Sequence, residues 1–456
     1  MAGIGFTLRR MLDEGGFGGP LKALSYAMVI SAGPWLASSA TLALLGAGGL
    51  VEGTHDHKVF LALVSYIFAF SLIAVGGCHM VASRYLADRL YEDRWEAFAP
   101  AFSRLAAPLL GFQAVSAALF LMMVPIGPFE KLAALICYLA VTGTWLAMIF
   151  LSAAKDYHAI VAAFAAGFVL SVVGGITGAR HWGLAGQLAG FTSGFWLVFV
   201  VLLGRVRHEF GLPRAEARQL GHYFIRFWPL AVTGLAYNVG IWIDKILFWF
   251  HPEASEQVAG LLRVAPIYDN AMFMAYLTII PAMGMFLLRV ETDFYDTYRG
   301  YFAAIAAHAR LADLARLKAE MALTLWRNLI LVLKVQLPLT LAAICFAPEI
   351  VATLKLQWMS IFVFRFGCLG ALLHVLHLMV TILLLYLEYR KEAMAVAVTF
   401  AVTNALLTLG SFALGPEAYG VGYAASSALT LFVGLACLAK AFEKLEFHLF
   451  MRQPLQ

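Results

Sequence analysis

The chain has 456 residues, 62% of them hydrophobic and only 13% charged, with a net charge of +5 and a mean hydropathy of +0.82. A soluble domain is roughly a quarter charged, and a surface for this length cannot be wetted with half that share. These figures exclude a soluble enzyme, a nucleic-acid-binding protein and a disordered chain, and they leave an all-α polytopic membrane protein.

A helix needs about 20 mostly apolar residues to cross the hydrocarbon layer. That ruler yields twelve transmembrane helices, at about 23–50, 59–82, 104–125, 131–152, 158–178, 182–204, 223–249, 261–288, 329–347, 359–386, 393–414 and 418–439. The first span is uncharged and too long for a signal-peptide core, so it is expected to be retained. Near its middle lies Gly33-Pro34, where proline removes a helix hydrogen bond and predicts a kink. The five cysteines sit in apolar runs without a CxxC pair or a Cys/His cluster, and read as small core residues.

Lysine and arginine orient the spans. Of the 32 basic residues, 25 fall in segments on one side, including Arg9, Arg10, Arg84, Arg89, Arg94, Arg205, Arg207, Arg214, Arg289, Arg299, Arg327, Lys440 and Arg452. Five fall on the other, and Lys245 and Arg365 lie within spans. Both termini are therefore expected in the cytoplasm. The positive excess follows from orientation and says nothing of an acidic cargo.

The long polar connections, 83–103 and 289–328, each follow the second span of a half. Lys155-Asp156-Tyr157-His158 before span five matches Glu388-Tyr389-Arg390-Lys391 before span eleven, and Gly-rich strings open spans six and twelve. The pattern predicts two six-helix bundles, 1–204 and 223–456, as a 6+6 repeat joined by a basic linker at 205–222, a common transporter plan. Within 299–328, Phe302, Ile305, Leu314, Leu317, Met321 and Leu325 alternate with charges, which predicts an amphipathic helix on the cytoplasmic membrane surface or a dock for a partner.

Ionisable groups inside spans are costly and mark function by default. Asp244 and Lys245 in span seven, Asp269 in span eight and Arg365 in span ten are such groups, and their charges cancel. Tyr237 and Asn238 precede Asp244 and Lys245 by seven residues, and Asn270 follows Arg263 by seven, so the polar face of span seven is expected to line a hydrated cleft. Internal pairing of the four charges is the equal alternative, with proton coupling through Asp244 or Asp269 as a third role. Trp35, Tyr237 and Trp242 are candidates for stacking on sugar rings; most other aromatics are interfacial anchors. His374, His377 and Thr381 share one face of span ten and read as buried core. The outward loops are short, and the chain has no GxxxxGK[ST], HExxH or GxSxG string, so catalysis, cofactor and metal are not expected.

The strings Met1-Ala2-Gly3-Ile4-Gly5-Phe6, Leu8-Arg9-Arg10 and Ile30-Ser31-Ala32-Gly33-Pro34-Trp35 resemble the PelG family, the inner-membrane transporters of the bacterial Pel exopolysaccharide system. Asp244-Lys245-Ile246-Leu247, Asn404 and the opening of span twelve from Gly420 to Ser427 are similar to the polysaccharide exporters of the multidrug/oligosaccharidyl-lipid/polysaccharide flippase superfamily. The resemblance spans essentially the whole chain. It implies export of an N-acetylgalactosamine-rich polysaccharide through the membrane lipid. The implied associates are a cytoplasmic glycosyltransferase, a membrane-anchored cyclic-di-GMP receptor and a further Pel membrane subunit. No first-half span carries an acidic residue, so ion coupling known in drug-antiporter relatives is not carried over. The alternatives are a flippase for lipid-linked oligosaccharide and a cation-coupled small-molecule antiporter of the same fold. A membrane-embedded polymerase and a pure scaffold are the remaining classes.

Overall fold

The computed structural model describes residues 4–13, 18–51, 53–211 and 218–451; Met1, Ala2, Gly3, Arg214 and Arg452 lie outside the described residues. In chain order the helices are α1 (Ile4–Asp13), α2 (Gly18–Gly48), α3 (His55–Tyr91), α4 (Phe98–Met122), α5 (Pro128–Ala153), α6 (Tyr157–Phe210), α7 (Arg218–Arg226) and α8 (Trp228–Trp249). A two-stranded hairpin, β1 (Glu256–Ala259) and β2 (Leu262–Val264), follows. Then come α9 (Pro266–Leu277), α10 (Ile280–Arg289), α11 (Tyr295–Ala306), α12 (Leu311–Cys345), α13 (Ala347–Thr353), α14 (Ser360–Tyr386), α15 (Arg390–Phe412), α16 (Val421–Glu443) and α17 (Leu445–Met451).

Eleven helical segments among the described residues are long and apolar enough to cross a membrane. One of them, α6, has 54 residues. Straight, it would reach about 80 Å, well over twice the ~30 Å hydrocarbon layer. It does not run straight, because Trp182 and Gly183 leave helical geometry, Gly183 at φ +58°. The two arms return along each other with glycine on glycine. A methyl carbon placed on Gly190 would lie 2.1 Å from the Gly174 backbone, and one on Gly178 would lie 2.2 Å from Gly186. Spans five and six of the sequence reading are these two arms, so the eleven segments hold twelve crossings.

By compactness the chain forms two units, 33–266 and 1–32 with 267–456. The first contains α3 to α8 and the hairpin. Here α8 packs on α3 where Gly234 meets Gly76: a methyl carbon on Gly234 would sit 2.2 Å from the Gly76 carbonyl oxygen. The hairpin pairs Glu256 with Val264 and Gln257 with Arg263, and bulges before Ala259 pairs with Leu262. It is tied down by Lys58 to Glu256 at 2.5 Å and by Arg263, whose Nε donates to the Trp249 carbonyl at 2.9 Å. This element was not foreseen in the 250–260 loop.

The second unit has its core between α10, α12, α14, α15 and α16, with Leu383, Leu384, Val396 and Met321 fully or nearly fully buried. Leu8, Ala23 and Ala27 from the chain's beginning cluster with Leu288. The compact boundary at 266/267 therefore lies beyond the 205–222 linker, because span seven packs with span two. Lys155 and Glu388 both take positive φ, +63° and +64°. The amides of Asp156 and Tyr389 bond the carbonyls of Leu151 and Leu384, each at 2.9 Å, with the same spacing.

The surface-lying helix expected within 299–328 is replaced by a helical hairpin. The chain turns at 307–310, with His308 at φ +55°, and α12 then runs unbroken into span nine. The reason is packing: Leu314, Met321 and Leu325 are buried against Tyr301, with Phe302, Ile305 and Leu317 beside them. The apolar face covers protein.

Replacing Gly190 by Ala should place a methyl against backbone that has no room to move, at a cost of about 1–3 kcal/mol or more for overpacking. Gly111→Ala, where nothing lies within 4 Å, should be neutral or better in its helix. Thermal unfolding of the two purified variants in detergent checks the contrast.

Candidate functional site

The four intramembrane charges are divided between the two compact units. Asp244 and Lys245 lie in the 33–266 unit, and Asp269 and Arg365 lie in the other.

On α8, Gly234, Asn238, Ile241 and Lys245 follow at i, i+4, i+7 and i+11, which places them on one face of the helix. The Gly76 contact turns that face toward α3. Asn238 is held at the crossing, with its Nδ2 donating to the Gly234 carbonyl at 2.8 Å. A methyl carbon on Gly76 would lie 2.7 Å from the same nitrogen. The Asn238 amide thus covers the close approach of two backbones, which is a packing role.

Consecutive helix residues point about 100° apart, yet Asp244 and Lys245 pair with each other. The lysine stem is long enough to fold back. Its Nζ donates to both Asp244 carboxylate oxygens, at 3.1 and 3.3 Å, and to the Ile241 carbonyl at 3.0 Å. It also sits 5.9 Å from the centre of the Trp242 ring, within the range of a cation–π contact. Asp244 is fully buried and Lys245 is 8% exposed. Such a pair recovers by mutual attraction part of what desolvation takes from each ion. Tyr237 and Trp242 are half-buried on the same helix.

Asp269, in the first turn of α9, is half-buried, and Asn270 beside it is exposed. Arg365 is half-buried in α14, and its Nε donates to the Ile344 carbonyl of α12 at 3.2 Å. The guanidinium thus caps a backbone group where α12 ends at Cys345, as expected near a helix C-terminus. Trp35 is half-buried in α2, which continues as helix through Pro34; Ser38 Oγ donates to the Pro34 carbonyl at 2.9 Å. The structure joins Asp244, Lys245 and Trp242, ties Asn238 to the α3 crossing, and ties Arg365 to the end of α12.

Three polar arrangements were not legible beforehand. Gln187, fully buried in the second arm of α6, accepts the Leu50 amide at 2.9 Å just beyond the end of α2. Gln336 in α12 donates at 2.8 Å to the Thr278 carbonyl, which is freed where span eight breaks between α9 and α10. Arg89, assigned above only to orientation, is 6% exposed; its Nη2 donates to Tyr223 Oη at 3.1 Å, and that hydroxyl donates to Asp88 at 3.1 Å. This ties the end of the basic linker to α3. Each partner lies 58 to 137 residues away, and no local pattern signals it.

His374 and His377 are buried as expected, edge to face at 4.6 Å, within an aromatic box. Phe400 lies 5.0 Å from His374, Tyr276 5.9 Å and Tyr423 6.1 Å. Thr381 donates to the His377 carbonyl at 2.8 Å.

The sequence profile of the family described as "PelG: Putative exopolysaccharide Exporter (EPS-E)" matches residues 1–450. Among solved structures, the chain is similar to an outward-facing multidrug-resistance MATE family transporter of the MOP superfamily. The TM-score is 0.67 at 14% identity, covering 96% of this chain and 98% of that one. An inward-facing form of such a transporter gives a TM-score of 0.66 at 12% identity, with 97% and 98% covered. A MOP superfamily transporter from Pyrococcus furiosus Vc1 gives 0.65 at 14% identity, with 93% and 95% covered. At these identities the likeness shows the fold. No curated protein sequence matches the chain significantly.

The buried pair makes a double-substitution cycle informative. Asp244→Asn or Lys245→Met alone strands a buried charge and should destabilise by about 3–5 kcal/mol. The double variant should recover most of that loss, because two neutral side chains then replace two ions. Thermal unfolding in detergent of the singles and the double measures the coupling; additive losses would show that the two side chains do not support each other.

Proposed function

Because the chain belongs to the PelG family of exopolysaccharide exporters and has the fold of MATE transporters, we propose that it exports a Pel-type, N-acetylgalactosamine-rich polysaccharide across the bacterial inner membrane, both termini cytoplasmic. The coarser statement needs no proposal: this is a multi-pass membrane protein of a polysaccharide- or flippase-type transport family. The observation that carries the finer reading is the extent of the family match, residues 1–450, together with the amino-terminal strings that resemble the Pel transporters.

In this reading the halves 1–204 and 223–456 are repeats that expose a path alternately to either side. The polymer arrives from a cytoplasmic glycosyltransferase, in a complex with a membrane-anchored cyclic-di-GMP receptor and a further Pel membrane subunit. Trp35, Tyr237 and Trp242 supply the half-buried aromatic faces on which sugar rings stack. The Asp244–Lys245 pair presents a locally neutral dipole beside Trp242, which suits hydrogen bonding to hydroxyl and acetamido groups more than capture of an ion. Asp269, Asn270 and Arg365 are the candidate path residues of the 267–456 unit.

A second reading, a flippase for lipid-linked oligosaccharide or a small-molecule antiporter, is favoured by the fold of the multidrug MATE structures. A photocrosslinking residue at position 242, placed in cells that are actively secreting, separates the two. Polymer captured on the protein and detected by an N-acetylgalactosamine-binding lectin is the expected result; capture of a lipid-linked oligosaccharide would establish the second reading. Secretion by the folded Asp244→Asn, Lys245→Met double variant should fall about tenfold, the loss of one strong contact to the moving chain. Full secretion at normal protein levels would remove the pair from the path.

A further inference from the structure

We propose that the cleft between the π-turn after α10 and the middle of α12 binds the phosphodiester headgroup of an anionic phospholipid. The site lies within the 267–456 unit and does not depend on the polymer reading. It is an open cavity of about 700 Å³ whose charged wall is Arg289, Asp293, Asp296, Arg327 and Lys334, with Asn328 and two threonines between them. Its volume exceeds the 500 Å³ of the apolar cleft between α4 and α6.

The backbone shapes the cleft. At Val290–Phe294 the chain widens into a single π-helical turn, an irregularity that is frequent at functional sites. Asp293 thereby returns to Arg289, accepting from its Nη1 at 2.8 Å, while Asp296 is held by Arg9. Both acids of the cleft are thus already neutralised. Arg327 and Lys334 are exposed on α12 one to two turns apart, and neither forms an ion pair among the described residues. The unbalanced charge of the wall is positive.

Two further atoms point to an acceptor. Arg289 Nε and Asn328 Nδ2 are shut off from solvent and bond nothing among the described residues. Both are donors, and buried donors in folded proteins are nearly always satisfied. Two stranded donors beside a net positive rim match the oxygens of a phosphate.

The lipid, as opposed to a soluble phosphate, is indicated by what adjoins the donors. Ile330 and Leu331 continue the lining toward the apolar part of α12. On the same helix Leu323, Trp326, Leu337 and Leu341 are exposed, as suits a helix whose flank is covered by acyl chains with tryptophan at headgroup level. The rim lies in the segment that the lysine and arginine bias assigns to the cytoplasmic leaflet, where basic pockets between helices hold anionic headgroups.

The test uses the full-length protein in nanodiscs of phosphatidylcholine with a minor fraction of phosphatidylglycerol, followed by native mass spectrometry of the lipid retained. Wild type should retain phosphatidylglycerol above its bulk share. The Arg327→Gln, Lys334→Gln double variant should lose that enrichment by roughly fivefold per basic residue removed, and Asn328→Leu should lower it with both basic residues intact. Lys440→Gln with Lys444→Gln, which removes two exposed lysines outside the cleft, should leave it unchanged. Equal retention of both lipids by wild type, or undiminished enrichment in the Arg327/Lys334 variant, overturns the site. Stabilisation of wild type by glycerol phosphate as strong as that by phosphatidylglycerol overturns the lipid assignment in favour of a soluble phosphate.

Discussion

Helices in a bilayer satisfy their own backbone and then have little left to draw them together, because lipid is as apolar as their side chains. What remains is van der Waals contact, and it grows as backbones approach. Most of the described architecture depends on places where glycine allows that approach. Gly174 and Gly178 meet Gly190 and Gly186 within α6, Gly76 meets Gly234 between α3 and α8, and Gly422 rests on the backbone of Leu407 and Thr408. These contacts set rotation as well as distance. Once Gly234 faces α3, Asn238, Ile241 and Lys245 must face it too, since they share its side of the helix.

That rotation decides the chemistry of the charged pair. A lysine on a lipid-facing or solvent-facing side would extend its ammonium toward water. On the packed side it finds local acceptors, the Ile241 carbonyl and the Asp244 carboxylate. The pair is therefore a consequence of the glycine crossing. Arg365 and Gln336 follow the same logic in the other unit, each donating to a carbonyl that a helix end or break has released. Several of the polar groups inside this protein thus repair the backbone.

The expected repeat and the observed packing divide the chain differently. The turns before spans five and eleven share one hydrogen-bond pattern and the same positive-φ position, at Lys155 and Glu388, but Asp93, His308 and Lys355 end their helices in the same way. Yet span seven packs with span two, and the residues before Gly33 pack with the carboxy-terminal unit. Gly33-Pro34 stands at that junction, inside a helix that continues through it. The helix α2, the first span, therefore belongs to both units.

Hydropathy alone determined the number of crossings, because a charge or an unpaired peptide group in hydrocarbon is prohibitive over any twenty residues. The basic bias pointed to an orientation, and the amino-terminal strings to a family that the match over residues 1–450 bears out. The buried ionisable residues were legible as unusual, but their partners were not. Asp244 and Lys245 looked equally able to reach another helix or a cleft, and only the Gly76–Gly234 contact turned Lys245 inward. Likewise, the pattern of Phe302, Leu314 and Met321 showed an apolar face but not what would cover it. Periodicity reports which side of a helix avoids water; whether lipid or protein lies there is settled by helices far away in sequence, here α14 and its neighbours packed against α12.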